Sequence, residues 1–165
     1  MQRKIAYGGM GAALCLLLLA GSVYLPTGKA ALLFLSSLVI YMLAFLTDKK
    51  TALICYVAAA ALSVVFTSLS SVLITLSFGV CFGNYPVLKC YIDTRKFVLS
   101  LIIKFAAYSV YFFAVYFSFV LLFEGTLPYV WWILYFAGVA VFAFYDILLA
   151  QTGRYVMARL LKRFL

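Results

Sequence analysis

Between Lys50 and Lys89 the chain carries no charged residue at all. Few environments accept an uninterrupted apolar run of that length, and the interior of a lipid bilayer is the main one, where roughly 20 apolar residues make one helical crossing. The neighbouring stretches repeat the pattern. Ile5 to Leu25, Ala30 to Thr47 and Gly125 to Tyr145 are uncharged, and Phe97 to Phe123 holds Lys104 as its single charge. Of the 165 residues, 68% are hydrophobic and 10% charged. A soluble domain is nearer half apolar and about a quarter charged, so the exterior of this fold must be apolar.

These runs predict an all-α membrane protein, a single transmembrane domain over residues 1–165 built as a bundle of six helices. The expected spans are 5–25, 30–47, 51–67, 71–88, 97–123 and 128–150. The stretch from Thr51 to Leu88 could be one long helix or two, and Thr67-Ser68-Leu69-Ser70-Ser71 offers a polar reversal near its middle. Charge chooses between them, because cytoplasmic loops carry the excess of Lys and Arg. With two helices, Arg3, Lys4, Lys49, Lys50, Lys89, Arg95, Lys96, Arg154, Arg159, Lys162 and Arg163 share one side and Lys29 lies opposite. With one helix, Lys89, Arg95, Lys96 and the basic C-terminal residues would cross over to join Lys29. Six spans with both ends in the cytoplasm, in the inner membrane of a bacterium, are therefore expected. The first span also has the look of a signal peptide, with a basic start and a small-residue patch Ala20-Gly21-Ser22. Its apolar stretch is long for a signal, and its removal would leave five spans. Leu14 before Cys15 argues against a lipoprotein signal. Residues 151–165 read as a basic amphipathic tail that anchors to anionic headgroups or docks a cytoplasmic partner.

The chemistry available is sparse. There is no histidine, and the acids are Asp48, Asp93, Glu124 and Asp146. The commonest acid–base and metal-binding side chain is thus missing, and no metal, cofactor or enzymatic activity is expected. Cys15, Cys55, Cys81 and Cys90 form no Cys-x-x-Cys pair and read as small buried apolar residues. The net charge of +9 lies at the ends of spans, which points to topology and not to nucleic acid.

A few residues stand out as candidates. Lys104 lies about 10 Å into its span at 1.5 Å per residue, and Asp146 lies at similar depth in the last one. Intramembrane charges face a partner or a cavity, so the two are read as an intramembrane pair, with Lys104 snorkelling to the interface as the plainer alternative. Gly8, Gly9, Ala12 and Ala13 place small residues four apart, a spacing that lets helices approach closely in lipid, within this chain or against a second one. Pro86 disfavours helix at Tyr85, so Gly83 and Pro86 are read as a hinge. Lys29 and Glu124 are the charges of the outer loops, and Trp131 follows where interfacial aromatics belong. Tyr108, Tyr111 and Tyr116 could line a binding pocket with the loop residues or simply pack.

Taken together, the small-residue first span Gly8 to Ala13, the span end Leu25-Pro26-Thr27-Gly28-Lys29, the elbow Gly83-Asn84-Tyr85-Pro86-Val87-Leu88-Lys89 and the closing Phe144-Tyr145-Asp146 resemble small clostridial membrane proteins that look like S components of energy-coupling factor transporters. The resemblance implies a six-helix subunit that captures a micronutrient at the outer face. It implies as partners a membrane T subunit, contacted through the small residues of the first helix, and two cytoplasmic ATPases. Glycine stands at part of the alanine pattern usual there. The chain has no phosphate-binding loop of its own, so ATP hydrolysis would belong to other chains. The competing expectation is a membrane scaffold of the cell envelope, similar in size to the MreD-type rod-shape proteins, with no ligand pocket.

Overall fold

The computed structural model describes residues 2–25, 27–65, 72–93, 97–123 and 131–164. They form six helical rods. These are α1 (Gln2–Tyr24), α2 (Lys29–Leu46), α3 (Lys49–Val65), an interrupted rod of α4 (Val72–Ser77), a π-helical turn (Phe78–Phe82) and α5 (Asn84–Ile92), then α6 (Phe97–Phe123) and α7 (Trp131–Phe164). Gly28 adopts φ 80° to turn the chain into α2, a conformation that glycine reaches without steric penalty.

Four helical segments are long and apolar enough to cross a membrane: Ile5–Tyr24, Lys29–Leu46, Val98–Ser118 and Trp131–Val156. Their apolarity is not that of a protein core. Only 6% of the most apolar window of α7 is buried inside the molecule, and large side chains such as Ile133, Phe136, Val141 and Phe144 stand exposed. Apolar faces this extensive need lipid contact, and the chain is a multi-pass membrane protein. The α3 rod and the 72–92 rod are two helices packed side by side: Tyr56 of α3 reaches Gly79, and Ser63 lies by Ile74 and Thr75. The proposed reversal at 67–71 lies outside the described residues.

The tightest packing joins α1, α2 and α3. Cys15 and Leu19 meet Leu33, Ile40, Ala52, Ala59, Phe78 and Val87 in one buried cluster. Small residues permit the close approach. A Cβ at Gly11 would lie 3.2 Å from Leu43 and 3.5 Å from the Cys55 sulfur. The hydroxyls of Ser22 and Ser36 are buried but donate to carbonyls one turn back, so they burden the apolar interior little. A second cluster gathers Tyr41, Tyr85, Cys90, Tyr111 and Leu149 where α2, α5, α6 and α7 meet.

The basic amphipathic segment after residue 150 continues as helix: α7 runs unbroken from Trp131 to Phe164. At 34 residues it extends about 51 Å, well beyond the ~30 Å of a hydrocarbon core. No proline interrupts it, and its one late glycine, Gly153, lies against Tyr41: a Cβ there would sit 2.5 Å from the ring.

Candidate functional site

The break expected near Pro86 falls one turn earlier, and its cause is visible in the hydrogen bonds. Pro86 has no N–H for the carbonyl of Phe82, four residues before it. The Ser37 hydroxyl of α2 donates to that carbonyl at 2.7 Å. The Gly83 N–H bonds back to Phe78 at 2.7 Å, a five-residue step that makes the π turn and vacates the usual place on the Gly79 carbonyl. The Tyr56 hydroxyl donates to that carbonyl. The Tyr56 ring lies so close to Gly83 that a Cβ there would be 2.5 Å away. The irregular segment is therefore pinned by side chains from α2 and α3, which satisfy its buried backbone carbonyls.

Beyond the break, α5 resumes with Pro86 in its first turn, where proline is tolerated. This puts Tyr85, Lys89 and Asp93 four apart on one stripe. The stripe meets α6 and α7 at a cluster of four charges. Asp146 of α7 forms ion pairs with Lys89 and with Lys104 of α6, the latter at 3.0 Å. Asp93 pairs with Lys104 at 2.9 Å and with Lys89 at 3.7 Å. The Tyr85 hydroxyl donates to Asp146 Oδ1 at 2.5 Å, and Lys89 also reaches the Asp146 carbonyl at 3.3 Å. Two ammonium groups thus face two carboxylates, which is how charge becomes tolerable away from water.

The members differ in access. Lys89 is 1% exposed and Asp146 19%, whereas Lys104 is 21% and Asp93 40% exposed. The last two stand at the end of a cleft of about 700 Å³ between α6 and α7. On one wall are Ser100, Leu101, Lys104, Phe105 and Tyr108; on the other are Val139, Phe142, Ala143, Asp146 and Ile147. Its charged residues, Asp93, Lys104 and Asp146, lie together; Ser100 and Tyr108 add hydroxyls, and the remaining lining is hydrocarbon and aromatic ring. The volume is that of an ordinary small-molecule site, about 300–1,000 Å³. Tyr108 crosses from α6 to donate to the Tyr135 carbonyl at 2.8 Å, and its hydroxyl occupies the space a Cβ on Gly138 would need. It closes the cleft at the end away from the charges.

The other expected binding residues are dispersed. Tyr111 is buried beside Tyr41 and Leu149, and Tyr116 stacks on Phe112. Trp131 stacks on Trp132 with centroids 3.7 Å apart. Lys29 is exposed at the start of α2, and Glu124 lies outside the described residues. Among this set Tyr108 alone lines the cleft. Lys89, read from sequence as a span-end residue, and Asp93, noted only as one of the acids, belong to the site, and the signal was their spacing from Tyr85 once α5 is continued past Pro86. The small residues of α1 split between two faces. Gly8 packs toward Thr51 of α3, with 3.2 Å to a Cβ, while Gly9 has open space; Ala12 is half-buried and Ala13 exposed.

Comparison of the chain with protein-family models, with curated proteins and with solved structures finds no match.

Proposed function

We propose that this chain crosses the bacterial cytoplasmic membrane six times, with both ends inside, and serves as the ligand-binding, S-component-like subunit of an energy-coupling factor type importer. The observation that carries the binding reading is the α6–α7 cleft, a ligand-sized space with its charged residues gathered together. A scaffold has no use for such a space. The site favours binding over catalysis, because Asp146 already accepts from Tyr85, Lys89 and Lys104 and is committed as an acceptor, not held ready as a base.

Orientation follows from the basic residues, which six crossings collect on the side that also holds Asp93 and the end of α7, so the charged part of the cleft lies toward the cytoplasm and not at the outer face where the resemblance implies capture. Energy would come from separate ATPases through a membrane T subunit. The open Gly9–Ala13 face of α1, flanked by exposed Met10, Leu14 and Leu17, is the surface suited to a partner helix. That same face also suits the second reading, a scaffold of the cell envelope.

Co-purification from the native membrane in mild detergent, with mass spectrometry of proteins and small molecules, separates the two. Recovery of ATPase and T subunits together with a retained metabolite is the expected result. Recovery of cell-wall proteins alone, with an empty cleft, would leave the scaffold.

A further inference from the structure

Resting on the reading of the α6–α7 cleft as a binding site, we propose that its ligand is a zwitterionic amphiphile that enters sideways from the bilayer and seats its headgroup between Lys104 and Asp93. Three observations lead there: the distribution of polarity, the balance of charge and the rim.

The charges of the cleft are gathered in one cluster, the Tyr108 hydroxyl is already engaged by the Tyr135 carbonyl, and apart from Ser100 the remaining lining is apolar. A water-soluble ligand, polar all round, would leave most of its groups unbonded against Leu101, Phe105, Val139 and Phe142, and each such group costs on the order of 1–3 kcal/mol. A molecule with one polar end and an apolar body matches the walls.

The charges select the kind of head. Lys104 holds Asp93 at 2.9 Å and Asp146 at 3.0 Å, which leaves one of its three N–H donors for a ligand. The two carboxylates beside that donor repel an anion about as strongly as the ammonium attracts it, since Coulomb energies at such separations are of similar size. A purely anionic head therefore gains little. A purely cationic head would meet Lys104 in the same way. A head with both charges can place its anion on the Lys104 ammonium and its cation on Asp93, the most exposed carboxylate of the cluster.

The rim supplies the route. Leu101, Phe105 and Ile147 line the cleft and are at the same time more than half exposed, on apolar faces of α6 and α7. In a bilayer these faces meet acyl chains, so the cleft opens to hydrocarbon.

The test uses the full chain in neutral maltoside micelles and a lysophosphatidylcholine with a photoreactive group in its acyl chain. Saturable crosslinks on α6 and α7, displaced by unlabelled lysophosphatidylcholine about tenfold more effectively than by lysophosphatidylglycerol, are expected. Phosphocholine alone should compete poorly, because the apolar body supplies much of the binding. Ala143→Trp fills the cleft from an exposed position one turn before Asp146 and should abolish the crosslinks. Asp93→Asn removes the carboxylate assigned to the cation and leaves the cluster net positive, so it should erase or reverse the headgroup preference. Equal or better competition by the anionic lipid overturns the headgroup assignment but leaves the cleft as a binding site. Absence of saturable labelling overturns the amphiphile; a soluble metabolite retained on purification would then preserve the binding subunit, and its absence would remove both.

Discussion

Asp146 holds three helices together with one carboxylate. Lys89 from α5, Lys104 from α6 and Tyr85 from α5 all converge on it. Its removal strands Lys89, which is 1% exposed and has only the more distant Asp93 left. Breaking a buried pair from one side typically costs about 3–5 kcal/mol, so Asp146→Ala should lose that much stability in a denaturant titration followed by circular dichroism. Lys104→Met should cost less, since Lys89 stays paired with Asp146 and the carboxylate left short of a partner, Asp93, is 40% exposed to solvent. Converting Lys89→Met and Asp146→Leu together should recover most of the loss, because no unpaired charge is left behind. Lys104 and Asp146 stand out in the sequence as charges in otherwise apolar runs. Lys89 and Asp93 do not, because a lysine just after an apolar span reads as an interfacial charge. Whether α5 continues past Pro86 is decided by Ser37 and Tyr56, which lie far away in sequence.

The interrupted rod shows how an element depends on its neighbours. Pro86 announces a break in sequence, but its position and its cost are set by the side chain that bonds the Phe82 carbonyl. Ser37→Ala should destabilise the fold by about 1–3 kcal/mol, the cost of an unsatisfied buried carbonyl. In a Pro86→Ala background, the restored N–H at residue 86 can bond that carbonyl, and the effect of Ser37→Ala should shrink. A double-mutant cycle measures this coupling, and simple additivity would contradict the proposed pairing. At the α2–α7 crossing, Gly153→Ala should cost about 1–3 kcal/mol through overpacking against Tyr41, read by the same titration. The long apolar helices were legible because lipid imposes length and composition on them. The helical course of the basic end of α7 was legible too, because its apolar residues recur at helical spacing.

At the scale of the molecule, α1 to α3 make a close-packed unit, while α6 and α7 stand apart enough to leave a cleft. Composition and charge were sufficient to read a multi-pass all-α protein. The cleft was not readable, because it depends on how tightly two apolar helices approach, and Tyr108 over Gly138 is a matter of side-chain geometry. The site, the partner face and the lateral route all depend on one topology: six crossings, with the α3 and 72–92 rods as separate spans. Single cysteines at Lys29, Asp48 and Arg154, in a chain with its four native cysteines replaced, test it directly by labelling of sealed cells with an impermeant maleimide. The account predicts labelling of position 29 in intact cells and of positions 48 and 154 only after permeabilisation. Labelling of position 154 from outside, with 48 still protected, would show an odd number of crossings after residue 48 and contradict the architecture.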